Sequence, residues 1–121
     1  MHGAPSWFET LTTDVERATR FYEGLFGWKA ERVQRPGPAY WLFRHGDRHV
    51  AGLMAITPEM GELQPHWATY FTVTDIEAAV RQALQLGSRP VVPIMDALGV
   101  GRFAGLRSPQ GVVFWVFEYG R

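Results

Sequence analysis

Two side chains able to move a proton occupy equivalent positions in a sequence that repeats itself. The segments that begin at Asp14 and Asp75 are 61 residues apart, and each follows an apolar run and opens a helical pattern. The same offset pairs Glu9 with Tyr70. In an apolar cavity a carboxyl group favours its neutral form and becomes a better base near neutral pH, and a phenol can donate a proton. Glu9 as base and Tyr70 as acid would suit an isomerisation, an epimerisation or a cyclisation.

Other readings of the same polar residues stay open. Glu9 could instead form an ion pair with an arginine such as Arg102 or Arg107, or lie exposed at the mouth of a cavity. Of the four histidines, only His49 is expected to point inward, because the other three lie at the terminus, in a turn and beside a linker. His49 is therefore a candidate ligand contact.

The elements that must position these groups follow the order β-α-β-β-β twice. In the first copy the pattern predicts strands at 6–11, 28–33, 40–44 and 49–56, a helix from Asp14 to Gly27, and a turn at 35–38. In the second copy it predicts strands at 66–73, 89–92, 101–107 and 112–118 and a helix at 75–86. The apolar residues of the first helix fall on one face: Val15, Ala18, Phe21, Tyr22, Leu25 and Phe26. Those of the second helix are expected to point inward: Ile76, Ala79, Val80, Ala83 and Leu86.

Composition narrows the class of protein. The 121 residues fit one domain, 1–121, with a first module at about 5–57, a linker at about 58–65 and a second module at about 66–119. The chain has no cysteine and a formal net charge of zero, so disulfides are absent and no basic surface for nucleic acid is expected. We find neither a signal-peptide pattern nor a long apolar run, and we expect a cytoplasmic protein without a membrane partner.

The repeat and its motifs resemble the vicinal oxygen chelate superfamily, which groups glyoxalase I, extradiol dioxygenases, fosfomycin-resistance enzymes and bleomycin-resistance proteins. The resemblance is carried by the helix string from Asp14 to Trp28, which contains Phe-Tyr and Leu-Phe-Gly-Trp, and by the segment from Gly101 to Gly111. It implies an α+β fold of two tandem β-α-β-β-β modules that enclose a shared cavity. Members include both metal enzymes and passive binders, so the fold does not decide the reaction.

The same resemblance locates the metal ligands of the family on the first and last strand of each module. Transferred by spacing, those positions are Trp7, Gly52, Ala68 and Trp115. Alanine and glycine side chains contain no donor atom, and an indole only donates a hydrogen bond, whereas such metals need histidine or carboxylate ligands. The prediction is a site with no metal and no other cofactor, in which two indole rings stack on a planar ligand. Trp115 could alternatively fill the cavity as core packing.

The leading functional hypothesis is a metal-independent protein that binds an aromatic or polyketide-like small molecule, similar to resistance proteins that sequester antibiotics. The candidate contacts are Trp7, Glu9, Trp41, Phe43, His49, Gly52, Tyr70, Phe103 and Trp115. The alternative is a metal-free enzyme that uses Glu9 as base and Tyr70 as acid. A metal-dependent glyoxalase or dioxygenase with ligands elsewhere, and an interaction module with a filled cavity, rank below these. A homodimer is expected, because strand edges are only partly protected and relatives often pair.

Overall fold

The structure is a computed structural model that describes residues 1–34, 39–61, 63–97 and 99–120; the turn predicted at 35–38 lies outside them. The described residues form eight strands and two α-helices in the predicted order. In chain order these are β1 Pro5–Thr12, α1 Val15–Phe26, β2 Lys29–Val33, β3 Tyr40–His45, β4 Arg48–Ala55, β5 His66–Thr72, α2 Ile76–Gln85, β6 Arg89–Ala97, β7 Gly101–Arg107 and β8 Val113–Tyr119. The fold is therefore α+β and repeats β-α-β-β-β, as predicted.

The chain divides into two compact units. The first unit is Phe8–Trp67, and the second unit is Met1–Trp7 together with Ala68–Arg121. Strand order is β2-β3-β4-β1 in the first unit and β6-β7-β8-β5 in the second. In each unit the first and last strands pair in parallel, β1 with β4 and β5 with β8, and the remaining pairs are antiparallel. A short 3₁₀ helix, Pro58–Met60, occupies the predicted linker.

Local sequence explains where the helices begin and end. The Asp14 side chain accepts a hydrogen bond from Arg17 N at 3.1 Å, and the Asp75 side chain accepts one from Ala78 N at 3.2 Å. Aspartate at this position satisfies a backbone N–H that has no partner within the helix. Gly27 ends α1 with a φ of 73°, a left-handed conformation that glycine adopts without steric cost. Both helices thus begin at the aspartates that define the repeat.

Each helix packs on one face of the sheet of its own unit. In the second unit, Ile76 is fully buried against Val116, Ala104 and Leu106. In the first unit, Val15, Ala18 and Tyr22 pack on a buried cluster of Phe43, Ala51 and Leu53. The other face of each sheet carries Glu9 in the first unit and Tyr70 and Trp115 in the second.

The apolar face of α1 is wider than the part of it that the sheet covers. Phe21 and Leu25 are each 59% exposed and Phe26 is 48% exposed, so the six apolar residues share one face of the helix but only part of that face is buried. At about 100° per residue those six positions span about 140°, and a single sheet face covers only part of so wide a stripe. Leu86 is likewise exposed, because α2 ends at Gln85 and Leu86 lies beyond its last turn. Strand β6 also runs five residues past its predicted end at Val92.

Candidate ligand-binding site

Strand pairing places the candidate residues at equivalent positions of the two units. Glu9 pairs with Gly52 where β1 lies parallel to β4, and Tyr70 pairs with Trp115 where β5 lies parallel to β8. Residues paired directly in a ladder point to the same face of the sheet. The register therefore confirms that Glu9 corresponds to Tyr70 and Gly52 to Trp115, as the repeat predicts.

In the first unit these residues lie on the face opposite α1. Leu53 belongs to the core beneath the helix, and Thr10 pairs with Leu53. Because side chains alternate along a strand, Glu9 and Gly52 point to the other face. Glu9 is only 3% exposed. Carboxylates are almost never so buried unless they are paired or functional, so Glu9 stands out in this unit.

In the second unit the corresponding face is aromatic. The ring of Trp115 lies 5.5 Å from that of Tyr70 and 6.2 Å from that of Phe103, measured between centroids. Phe103 and Tyr70 also contact each other edge to face at 6.2 Å. Trp115 has no exposed surface, and Tyr70 and Phe103 are nearly as buried. Three candidates from the sequence are thus brought together into one packed cluster.

Sequence reasoning missed two further members of this aromatic face. Phe117 stacks on Phe103 at 6.1 Å, and Tyr119 stacks on Phe117 at 4.3 Å. The Tyr119 hydroxyl also shares a hydrogen bond of 2.8 Å with Ser6 Oγ. The signal was present, because Phe117 and Tyr119 lie two and four residues after Trp115 on the same strand face.

The structure corrects the choice of residues on β3. Trp41 and Phe43 were predicted to contact a ligand, but both belong to the cluster that packs beneath α1. Phe43 is fully buried, with its ring 5.8 Å from that of Tyr22. Leu42 pairs with Gly52, and Tyr40 pairs with Met54. Tyr40 and Leu42 therefore point to the same face of the sheet as Glu9. The sequence from Tyr40 to Phe43 does not reveal which alternate residues point to which face, because all four are apolar.

The structure also corrects the prediction for His49. Its side chain is 50% exposed, and its Nε2 atom lies 3.2 Å from Glu31 Oε1. Arg44 donates to the other oxygen of Glu31 at 3.0 Å. The hydrogen bond from His49 and then that from Arg44 hold the pKa of Glu31 below its usual value of 4.5. His49 is thus a surface partner of Glu31 and does not point inward.

The arginines considered as partners of Glu9 have contacts within the second unit. Arg102 Nη2 lies 3.4 Å from Glu77 Oε1 and 3.6 Å from Glu118 Oε1. Glu118 is 4% exposed and accepts a hydrogen bond from Ile76 N at 2.9 Å, which ties β8 to the first turn of α2. Arg107 donates to the carbonyl of Gly111 at 3.2 Å. Glu118 was not singled out by its sequence, since it is one acid in an apolar strand.

The side chains do not suit a metal ion at the positions where the family resemblance would place one. Trp7 is partly buried, Gly52 and Ala68 contribute no donor atom, and Trp115 packs among aromatic rings. Within the described residues, no group of three or more histidine, aspartate and glutamate side chains is arranged to hold a metal. Nor does any described helix combine the length and apolar character needed to cross a membrane.

Known proteins include relatives similar to this chain in sequence. The chain is 31% identical over 131 aligned residues to the anthracycline biosynthesis protein DauV of Streptomyces sp. strain C5, with 98% of this chain and 48% of DauV covered. It is 34% identical over 117 residues to CFP32 of Mycobacterium bovis, with 96% of this chain and 44% of CFP32 covered. The chain therefore spans about half the length of these relatives.

Solved structures share the fold at lower identity. The methylmalonyl-CoA epimerase of Mycobacterium tuberculosis superposes with a TM-score of 0.61 at 16% identity, over 98% of this chain and 89% of the epimerase. At that identity the likeness establishes the fold alone. The model of the Glyoxalase/Bleomycin resistance protein/Dioxygenase superfamily matches residues 5–116. The chain therefore belongs to the Glyoxalase/Bleomycin resistance protein/Dioxygenase superfamily.

Proposed function

We propose that this chain binds a planar aromatic, polyketide-like small molecule and does so without a metal ion. The observation that carries the proposal is the residue pair at the end of each parallel ladder. Gly52 and Trp115 occupy the last-strand positions at which the family resemblance would place a metal ligand, and neither side chain supplies an atom that coordinates a metal ion. In the second unit, the sheet face opposite the helix instead carries aromatic rings.

The chemistry of that face favours a flat ligand. Tyr70, Phe103 and Trp115 form a contiguous, buried aromatic cluster under that face, and aromatic pairs contribute about 0.5 to 1.5 kcal/mol beyond the burial of their area. Trp115 itself is fully covered by its neighbours, so it supports that face from within. Trp7 is partly exposed and is the proposed stacking contact. The relative DauV is named for anthracycline biosynthesis, and anthracyclines carry flat fused rings.

Binding alone is sufficient for a protein to sequester a small molecule. A protein that holds a toxic aromatic compound lowers its free concentration without altering it, as the resemblance to bleomycin-resistance proteins suggests. This chain covers only about half the length of these relatives, so the activity of the longer proteins is not carried over to it. We therefore assign binding to this chain as its proposed function.

The test is a calorimetric titration with quinizarin, a flat hydroxyanthraquinone, before and after dialysis against a chelator. We expect saturable binding that the chelator does not change. Trp7→Ala should weaken binding about tenfold, which corresponds to about 1.4 kcal/mol. The matched control is Trp41→Phe, which alters a tryptophan on the helix side of the first unit. Absence of binding, loss of binding after chelation, or equal loss in both variants would contradict the proposal.

A second candidate is metal-free proton transfer with Glu9 as the base. The burial of Glu9, with 3% of its surface exposed, favours it. The test is incubation with aryl ketones in deuterium oxide, followed by mass spectrometry. Wild type should incorporate deuterium next to the carbonyl, and Glu9→Gln should fall to the uncatalysed rate. Equal incorporation by both proteins would eliminate Glu9 as the base.

A further inference from the structure

The aromatic face of the second unit has one exposed ring. Tyr119 is 41% exposed, and it lies at the end of the row of rings that continues along β8 from Trp115. The other rings of this face are each at most 8% exposed: Tyr70, Phe103, Trp115 and Phe117. The direct partner of Tyr119 across the ladder is Gly101, which has no side chain to cover the ring. Of these five rings, Tyr119 is therefore the one with surface left to offer a ligand.

The side chain of Tyr119 is held at both of its ends. Its ring stacks on Phe117 with 4.3 Å between the centroids and 25° between the ring planes. Its hydroxyl shares a hydrogen bond of 2.8 Å with Ser6 Oγ. A side chain that is already fixed in one conformation loses little conformational entropy when a ligand contacts it. The exposed part of Tyr119 is thus a preorganised contact for a flat molecule.

The direction of the hydrogen bonds at Ser6 follows from its single proton. Ser6 Oγ lies 3.3 Å from the backbone carbonyl oxygen of Tyr70, and a carbonyl oxygen only accepts. The hydroxyl proton of Ser6 therefore goes to Tyr70. Ser6 Oγ must then accept the hydrogen bond that it shares with Tyr119. The two hydrogen bonds run in one direction, from the Tyr119 hydroxyl to Ser6 and from Ser6 to the carbonyl of Tyr70.

This direction determines what the Tyr119 hydroxyl offers a ligand. A phenol has one proton and can also accept a hydrogen bond. Because the proton is directed to Ser6, the Tyr119 oxygen presents lone pairs to a molecule beside it. Hydrogen bonds that follow one another in the same direction polarise each other, which makes that oxygen a better acceptor. Tyr119 therefore favours a ligand group that donates over a ligand group that only accepts.

We propose that Tyr119 is a specificity-determining residue of the ligand site and selects planar aromatic molecules that carry a hydroxyl group on the ring. The ligand contacts the exposed part of Tyr119, and the ligand hydroxyl donates to the Tyr119 oxygen. Ser6 is the positioning residue, since it holds the proton of Tyr119 away from the ligand. This inference rests on the proposed function and narrows the ligand class from planar aromatic compounds to hydroxylated ones.

The test compares two ligands that share one ring system, by calorimetric titration into the same preparation of protein. Anthraflavic acid is an anthraquinone with two ring hydroxyls that can donate, and its dimethyl ether has none. Wild type should bind anthraflavic acid more tightly than the ether. Tyr119→Phe keeps the ring and removes the acceptor, so the dissociation constant for anthraflavic acid should rise about five- to tenfold, while that for the ether should not change. The ratio of the two constants does not depend on the folded fraction of a variant.

Ser6→Ala tests the direction of the protons. It leaves Tyr119 its hydroxyl but releases the proton, so the variant should bind the dimethyl ether more tightly than wild type does. The matched control is Tyr22→Phe, which removes the hydroxyl of a tyrosine that accepts from Trp67 in the first unit. That control should leave the ratio unchanged.

Three results would overturn the inference and leave the proposed function standing. The first is a ratio that Tyr119→Phe does not change, and the second is a ratio that Tyr22→Phe changes to the same extent. The third is a Ser6→Ala variant with both constants as in wild type. If wild type binds neither of these compounds nor quinizarin, the proposed function itself is contradicted and the inference falls with it.

Discussion

The indole of Trp115 packs against Gly105, its direct partner in the antiparallel ladder between β7 and β8. A methyl group added at Gly105 would stand 3.0 Å from two carbons of the ring. That separation is shorter than an ordinary carbon–carbon contact. Gly105 is therefore what allows the largest buried side chain of the second unit to pack on the sheet.

Gly105→Ala should destabilise the protein by about 1 to 3 kcal/mol, because the Trp115 ring has to move within a packed aromatic cluster. The measurement is denaturant unfolding, with the near-ultraviolet circular dichroism of the native state reporting on the ring. The control is Gly24→Ala in α1, where an added methyl group meets nothing within 4 Å. That change should stabilise by about 0.5 to 1 kcal/mol. Equal effects at the two glycines would refute the packing argument.

Glu118→Ala should cost about 2 to 3 kcal/mol of unfolding free energy, since it removes the buried acceptor for Ile76 N and leaves Arg102 with one acidic neighbour. Glu77→Ala removes the other neighbour, but that side chain is 63% exposed and its pair should contribute less than about 1 kcal/mol. Chemical denaturation of both variants tests the difference. A Glu118 variant as stable as wild type would show that the contact does not hold β8 to α2.

Asp14→Ala and Asp75→Ala should each lower stability by about 1 kcal/mol, because each side chain accepts a hydrogen bond from a backbone N–H in the first helical turn. Asparagine at either position retains an acceptor and should recover most of the loss. Thermal melts of the four variants provide the comparison. A variant with no change at one aspartate would show that the two helices do not depend on equivalent caps.

How far the sequence predicts this fold depends on which feature is considered. Asp14, Asp75 and Gly27 predict helix limits correctly, because capping is a local interaction between residues three to four apart. The offset between Glu9 and Tyr70 likewise predicts equivalent ladder positions, since a repeat preserves register. Local chemistry and internal repetition are thus readable without any tertiary information.

Features that depend on which face of a strand or helix is covered are not readable in this way. Trp41 and Phe43 alternate with Tyr40 and Leu42, and all four are apolar, so pattern alone does not say which pair meets α1. The exposure of Phe21 has the same origin, because a wide apolar stripe does not reveal which part the sheet covers. To know which face is buried, one must know which surface packs against it. That surface is formed by residues far away in the sequence, so a local pattern does not predict it.

The contact between Glu31 and His49 predicts how one carboxyl group titrates. His49 and Arg44 both donate to Glu31, so its pKa lies below the usual value of 4.5 in the folded chain and returns to that value on unfolding. A carboxyl whose pKa is depressed by folding contributes stability above its unfolded pKa, and the contribution is lost as the pH falls through the folded pKa. The carboxyl carbon of Glu31, followed by nuclear magnetic resonance, should therefore titrate below pH 4.5 in wild type. In His49→Ala the midpoint should move upward, because the first of the two donors is gone, while in His45→Ala it should stay unchanged. A Glu31 midpoint that does not respond to His49→Ala would mean that the two side chains do not interact in solution.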